Sequence, residues 1–349
     1  NPNLKWEETT QWNLGVDANI FEKWSIGLDY FNKTTDGLLT NRVLPSYTGG
    51  GSTRINLGQM KNHGIDASIT FTPFNHQDFS WRMTLNGSWL QNRVASLGDL
   101  GEYFIPSGDA NYTGVQLETS PLIVQQGQPL GQLYGFKWLG LWKESEAEEA
   151  AKYNQKPGDN RYLDKNNDYS YSNEDKEVIG NFMPKFIWSY NSTINWKNFD
   201  FNLLVEGAHN RDMYNFNRMV AGTIVATSFS VTLREAADNM WTASNQETMW
   251  APRSSSALEK PNSSKWVEEA SWVKIRNLSI GYTIPKQLLC GHEIRVNASA
   301  QNLFTITGYS GLDPESQVNG AYSQDFFGGV EYGTYPQSRI YTIGLTYKF

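Results

Sequence analysis

Hydrophobic and polar positions alternate along long stretches of this chain. In residues 11 to 21, Trp12, Leu14, Val16, Ala18 and Ile20 alternate with Asn13, Gly15, Asp17 and Asn19. A period of two puts each set on one face of an extended strand. After a tight link at Glu22-Lys23 the pattern returns in residues 24 to 35, with Trp24, Ile26, Leu28 and Tyr30 on one face and Asp29 opposite. It recurs in 65–73 and 79–90, in a pair spanning 186–207 around Lys197-Asn198, in 272–284 and 293–302, and in 338–349. Nine strands result, and an all-β antiparallel fold is predicted. The intervening turns at 22–23, 74–78, 197–198 and 286–292 are short, whereas the connections 91–185, 211–270 and 303–337 are long.

Two features of the long connections refine this picture. The apparent strand Leu133 to Trp142 is interrupted by Gly131, Gly135 and Gly140, which suits a bent loop segment better than a regular strand. Residues 145–153 and 233–241 read as short helices; the first has Ser145 as N-cap candidate, an acidic start, and Glu148 and Lys152 at i,i+4 spacing.

Composition then narrows the setting. The chain has 349 residues, a net charge of -7, 14% aromatic residues and a single cysteine, Cys290. No stretch is long and apolar enough for a membrane helix. A polar average is compatible with a membrane barrel, because half of each strand faces a wet lumen. Aromatic excess suits interfacial girdles, although carbohydrate-binding β folds share it. One cysteine gives neither a disulfide framework nor a paired metal site, and the mild acidity argues against nucleic acid.

The last nine residues, Tyr341 to Phe349, alternate and stop on a C-terminal phenylalanine. This segment resembles the assembly signal of outer-membrane barrels, with Thr342, Gly344, Tyr347 and Phe349 in its four characteristic places. The expected facing puts Ile343, Leu345, Tyr347 and Phe349 toward lipid or the barrel-assembly machinery, and Thr342, Gly344, Thr346 and Lys348 toward the lumen. With the C-terminus on the inner side, all four short turns fall on that side and the long connections point outward, provided that 91–185 makes no net crossing.

Several motifs carry a more specific likeness. Asn1-Pro2-Asn3-Leu4-Lys5-Trp6-Glu7, the run Asn56 to Asp66, Gly127 to Gly131 with Tyr134-Gly135, Tyr162 to Asp175, Ile179-Gly180 to Pro184, Trp272 to Asn277, and Tyr335 to Arg339 occur in order. Together they resemble the C-terminal half of SusC/RagA-type TonB-dependent transporters, across essentially the whole chain. The resemblance implies a 22-strand outer-membrane barrel around a plug, in a Gram-negative bacterium of the Bacteroidota. It also implies import of an oligosaccharide or oligopeptide energised by the TonB complex, with a SusD-like surface lipoprotein as partner. Residues 1–349 would be the C-terminal portion of that barrel. Signal peptide, plug and TonB-contacting segment are expected upstream, because Asn1 to Glu8 shows no export signal.

Chemistry-bearing candidates are few. Asp164, Asn166, Asp168, Ser170 and Asp175, with Ser172 between them, fall at EF-hand-loop spacing and suggest calcium. Position 6 is Tyr169 instead of glycine, which requires a positive φ, and Asp175 is shorter than the usual glutamate, so weak affinity is expected. Trp138, Trp142, Trp241, Trp250, Trp266, Tyr112, Tyr162 and Tyr322 are candidates for stacking on a solute, or for packing the loops themselves. Asn13, Asp17, Asp29 and Arg82 face the expected lumen, toward solute or plug. His63, His76, His209 and His292 are scattered, and no nucleophile-elbow, HExxH or P-loop motif is present, so catalysis is not expected. Two other readings stay open: a secreted β-rich binding or adhesion module, and a barrel serving as structural partner in an envelope complex.

Overall fold

The computed structural model describes residues 4–43, 52–98, 103–104, 111–112, 115–116, 121–222, 232–252, 259–260, 262–289, 292–315, 328–331 and 333–349. Nine long strands form one antiparallel sheet in sequence order: β1 Glu8–Ile20, β2 Trp24–Val43, β3 Ser52–His76, β4 Phe79–Ser96, β5 Phe186–Trp196, β6 Phe199–His209, β7 Trp272–Ile284, β8 Glu293–Thr307 and β9 Ile340–Lys348. Every neighbour pair is antiparallel, so connections alternate between the two ends. All four short turns lie at one end and the long excursions at the other, as the alternation predicts. Leu133 to Trp142 stays out of this sheet and supplies two strands to the folded excursions.

Residues directly opposite in an antiparallel pair point to the same face, so the register defines rows running across the sheet. Near the short turns one row reads Leu345, Val296, Tyr282, Phe199, Trp196, Phe79. Halfway up comes Val205, Tyr190, Leu85, Ile69, Ile26, Ala18. Toward the excursions comes Phe186, Trp89, Ile65, Tyr30, Leu14. The intervening rows on the opposite face are polar, for example Glu206, Ser189, Asn86, Ser68, Gly27, Asp17. Leu14, Ile343 and Leu345 are 69%, 84% and 73% exposed. An apolar face of this extent is not stable against water, so it faces lipid.

The apolar band ends in aromatics. At the short-turn end Trp24 stacks on Phe71 with ring centroids 3.9 Å apart, Phe74 meets Phe79 at 5.5 Å, and Phe199 meets Tyr282 at 4.5 Å. At the other end stand Trp12 and Tyr30, 5.3 Å apart, with Trp89 and Phe186. From Phe79 to Trp89 the tilted strand climbs roughly 25 Å, which matches the apolar band of a membrane barrel.

Local chemistry explains where the strands run past the sequence pattern. β2 and β3 continue to Val43 and back from Ser52, well beyond the alternating segments 24–35 and 65–73. Their outer halves lie beyond the apolar band, so backbone pairing continues while alternation lapses at Asp36, Gly37, Leu38 and Leu39. Pro73 does not end β3; a register shift between Phe71 and Phe74 accommodates it, since a bulge frees a strand position from donating. The first turn is centred one residue earlier than expected: Lys23 N donates to the Ile20 carbonyl, with Phe21 at φ +51° and Glu22 at +56°.

The expected helices are present but shorter: α1 is Ala147–Lys152 and α3 is Arg234–Asp238, with an unforeseen α2 at Phe216–Gly222 between them. Ser145 is not the N-cap of α1, because it sits inside a 3-10 turn, Glu144–Glu146, where Glu146 accepts from Lys143 N at 3.0 Å. Lys152 pairs with Glu149 at 2.6 Å, one position from the expected Glu148.

The facing assignment predicts that Leu85→Arg, near mid-membrane, destabilises the assembled barrel by ~2–4 kcal/mol. Leu345→Arg, by the short-turn interface, costs ~0–1 kcal/mol, and Thr84→Arg on the polar face costs least. Reversible unfolding of the three variants in lipid vesicles checks this order, and an equal loss at Thr84 and Leu85 would contradict it.

Candidate functional site

The long excursions fold into one cap over the excursion end of the sheet. Leu122–Gln125, Gln132–Phe136 and Lys176–Asn181 pair into one small sheet, and Val267–Glu269, Asp212–Asn215 and Val330–Glu331 into another. Leu122, Leu133, Tyr214, Phe216, Met219, Ala236, Trp250, Trp266 and Val330 form a common core drawn from all three excursions. Gly135 permits the close approach that joins them, since a Cβ there would lie 2.1 Å from the Asn262 carbonyl oxygen.

Two buried charged side chains anchor the cap through hydrogen bonds. Buried Lys265 donates to Glu259 at 2.9 Å and Asn160 at 3.0 Å; burial lowers its pKa, against the raising effect of Glu259. Buried Glu331 accepts from the Tyr309 hydroxyl at 2.6 Å and from Leu312 N at 2.9 Å. Burial first, then that hydrogen bond, pushes the Tyr309 phenol far up.

An ionic junction ties the cap to the barrel wall. Lys274 on β7 reaches Glu315, and Asp313 at 3.6 Å. Arg276, displaced by a register shift between Ile275 and Asn277, donates Nε to Glu206 of β6 at 2.7 Å and Nη2 to Glu315 at 2.6 Å. Such a bulge re-aims one side chain, here toward the polar face.

Below this junction the polar face forms a trough of ≈ 620 Å³. Asp17, Asp29 and Asp66 line one side, Glu206 and Trp272 the other, with Ser68, Asn86, Ser88 and Ser189 between. The small residues are laddered: Ser68 Oγ donates to Asn86 at 2.9 Å, Asn86 Nδ2 to Ser189 at 3.2 Å, and Ser88 Oγ to Asp66 at 2.5 Å. Trp272 is buried, and its Nε1 has no hydrogen-bond partner. The trough can hold a polar ligand, with carboxylates as acceptors and serine and asparagine side chains as donors or acceptors.

Of the residues singled out in the sequence, Asp17 and Asp29 meet in this trough, whereas Asn13 and Arg82 share its face without lining it. Asp66, Glu206 and Trp272 were missed, because only the register brings their strands level. Trp142, Trp250, Trp266 and Tyr162 are buried in the cap, so they pack the loops. Trp138 is half-buried and donates to Asn160 at 3.1 Å, and Trp241 is half-buried with its Nε1 enclosed and unpaired. Tyr112's side chain, Tyr322 and Cys290 lie outside the described residues. His63, His76, His209 and His292 stay apart; His209 Nε2 accepts from Trp188 at 2.9 Å and His292 contacts the Tyr347 hydroxyl at 3.0 Å.

The 164–175 loop is tightly turned. Tyr169 adopts φ +61°, the conformation its place in the spacing requires. Asp164 accepts from Asn167 N at 2.7 Å, Tyr169 N at 3.0 Å and the Tyr153 hydroxyl at 3.1 Å. Burial, then the Asp164 contact, pushes the Tyr153 phenol up to about 12. Asp168 accepts from Ser170 N at 2.8 Å, and buried Asp175 accepts from Lys165 N at 2.9 Å and Ser172 N at 2.8 Å. Among the described residues no three His, Cys, Asp or Glu side chains converge as a metal cage.

The junction predicts that Glu315→Ala, which strips buried Lys274 of its nearest carboxylate, loosens the cap by ~3–5 kcal/mol. Amide exchange at Leu312 and Asp313 should accelerate with it. The double variant Lys274→Met/Glu315→Leu should recover most of the loss; an exchange rate unchanged by Glu315→Ala would remove the junction from the account.

Comparison with known proteins agrees with this geometry. The family model "TonB dependent receptor-like, beta-barrel" matches residues 1–203, more than half of the chain. TonB-dependent receptor P3 of Formosa agariphila is 31% identical over all of this chain and 35% of its own length. TonB-dependent receptor SusC of Bacteroides thetaiotaomicron is 26% identical over all of this chain and 32% of its own length. The solved structure of the RagAB peptide transporter superposes with TM-score 0.81 at 22% identity, covering 99% of this chain and 35% of that one. The chain thus spans about a third of the length of the curated relatives it matches. These are receptors and transporters rather than a class of enzymes, and their outer-membrane setting replaces the reading of a secreted binding module. With its alternating sheet, aromatic bands and matching family model, the chain belongs to the TonB-dependent receptor β-barrel family of the outer membrane.

Proposed function

We propose that this chain forms the C-terminal part of the wall and outer cap of a TonB-dependent importer for a bulky nutrient, an oligosaccharide or oligopeptide. The carrying observation is the pairing of a lipid-facing apolar surface with a hydroxyl- and carboxylate-lined trough, beneath a cap fixed by the Lys274–Glu315–Arg276–Glu206 junction. Polar solutes of either class offer hydroxyls, amides and amines, which match the Asp and Ser rows of the trough. The long excursions face the cell exterior and meet a SusD-like lipoprotein; the TonB complex acts through segments outside this chain. Family membership and the alternation of short and long connections support that orientation. In the same reading Thr342, Gly344, Tyr347 and Phe349 address the barrel-assembly machinery, with the two aromatics on the lipid face.

Calcium in the 164–175 loop belongs to this proposal. Asp164 and Asp168 close the turn with backbone donors and still carry lone pairs for a cation, since a carboxylate has about four acceptor sites. Position 12 is a short aspartate already taken by two N–H groups, which favours a Kd of roughly 10⁻⁴–10⁻³ M, as in extracellular modules.

Membrane-impermeant thiol labelling of intact cells, with single cysteines in a Cys290→Ser background, should modify positions 255 and 319, which lie outside the described residues, but not 198, and the unaltered protein should leave Cys290 unmodified. Deleting the complete gene should abolish TonB-dependent uptake of one solute class. Unchanged uptake of every glycan and peptide tested would favour the structural-partner reading.

Calorimetric titration of the full-length protein should show one weak calcium site that Asp164→Asn/Asp168→Asn removes. Identical titrations for parent and variant would exclude the ion.

A further inference from the structure

The lipid face carries a groove that the transport reading does not use. Ala67 of β3 and Gly87 of β4 leave a dent of ≈ 470 Å³ in the apolar surface, lined almost wholly by carbon and walled by Ile65, Leu85, Trp89, Phe186 and Trp188. The Trp188 indole donates Nε1 to His209 at 2.9 Å with the rings parallel, which fixes that wall. In a membrane such a dent is filled by hydrocarbon, because an empty apolar groove forfeits contacts on one side.

Directly up the same face stands a pair of cations. Counting by two from Ile65 and Trp89 reaches His63 and Gln91, then Lys61 and Arg93, which are direct cross-strand partners. Like charges placed opposite each other destabilise a strand pair, and neither makes an ion pair among the described residues. Both are exposed. The loop backbone at Gly127 runs beside the Arg93 guanidinium, 3.6 Å from it at the would-be Cβ, an ordinary contact distance. The acids on this face, Asp36 and Glu8, lie a row farther out, and Asp36 is taken up by Gln59 Nε2 at 2.7 Å.

Spacing links the two features. Lys61 lies six residues from Ala67, ~20 Å along the strand and ~15 Å along the membrane normal after tilt. That is about half of a ~30 Å hydrocarbon core, the span between a headgroup and the end of its chain. We propose that Lys61 and Arg93 bind the phosphate of an outer-leaflet lipid whose acyl chain lies in the Ala67–Gly87 groove. The leaflet assignment rests on the outward orientation given above; the site itself does not. A phosphate between the two cations turns a repulsive pair into charge-assisted hydrogen bonds, and the aromatic row beneath meets the glycerol or sugar region.

The test uses the full-length protein, stripped of lipid in detergent, with diphosphorylated lipid A as probe and native mass spectrometry as readout. One retained molecule is expected. Its enzymatically dephosphorylated form should be retained at least tenfold less by the unaltered protein. Lys61→Ser/Arg93→Ser should lose retention to the same degree, Lys61→Arg/Arg93→Lys should keep it, and Ala67→Phe, which fills the groove, should reduce it severalfold. Equal retention of phosphorylated and dephosphorylated lipid, or full retention by the double serine variant, would overturn the proposal. Detergent has no leaflets, so an inverted labelling pattern in cells would refute the orientation while leaving this measurement intact.

Discussion

The structure depends on one constraint: within hydrocarbon, every backbone N–H and C=O must find a partner in the protein. In the nine-stranded antiparallel sheet the seven strands β2 to β8 meet it, each paired on both sides. Side chains are then free to be sorted by parity alone, carbon to one face and oxygen and nitrogen to the other. β1 and β9 are the edges of the sheet, and closing a barrel requires partners for both.

The cap follows from the same sorting. Once a strand leaves the apolar band its side chains no longer obey the alternation, and the excursions build an ordinary buried core of Tyr214, Phe216, Trp250 and Trp266. The cap must still be fastened to a wall that offers it a polar face. Lys274 and Arg276 do this with Glu315 and Asp313. A buried ionic contact is a weak source of net stability but a strong source of position, because misalignment leaves charges unpaired.

Much of this was legible in the sequence. Strand number, the identity of the apolar faces and the exclusion of Leu133–Trp142 from the sheet follow from period-two alternation and the glycine interruptions. The far halves of β2 and β3 were not legible, because outside lipid nothing enforces the pattern that reveals a strand. Pro73 misled for a related reason: a bulge costs one register step and leaves no composition signal. The trough was half legible. Asp17 and Asp29 announce themselves as acids on apolar strands, whereas Asp66, Glu206 and Trp272 join them only once the register is known. The loop tryptophans and Tyr162 show the reverse, since aromatic residues in long connections look like ligand contacts until burial shows Trp142, Trp250, Trp266 and Tyr162 packed inside the cap.

The central claim is that parity along each strand separates lipid from lumen. Spin labels placed singly at positions 83 to 89 of β4 in the full-length protein, reconstituted in vesicles, measure it directly through collision with dissolved oxygen and with a water-soluble nickel chelate. Positions 83, 85, 87 and 89 should show high oxygen and low nickel accessibility, and 84, 86 and 88 the reverse. A profile without period two, or with the two sets exchanged, would contradict the account.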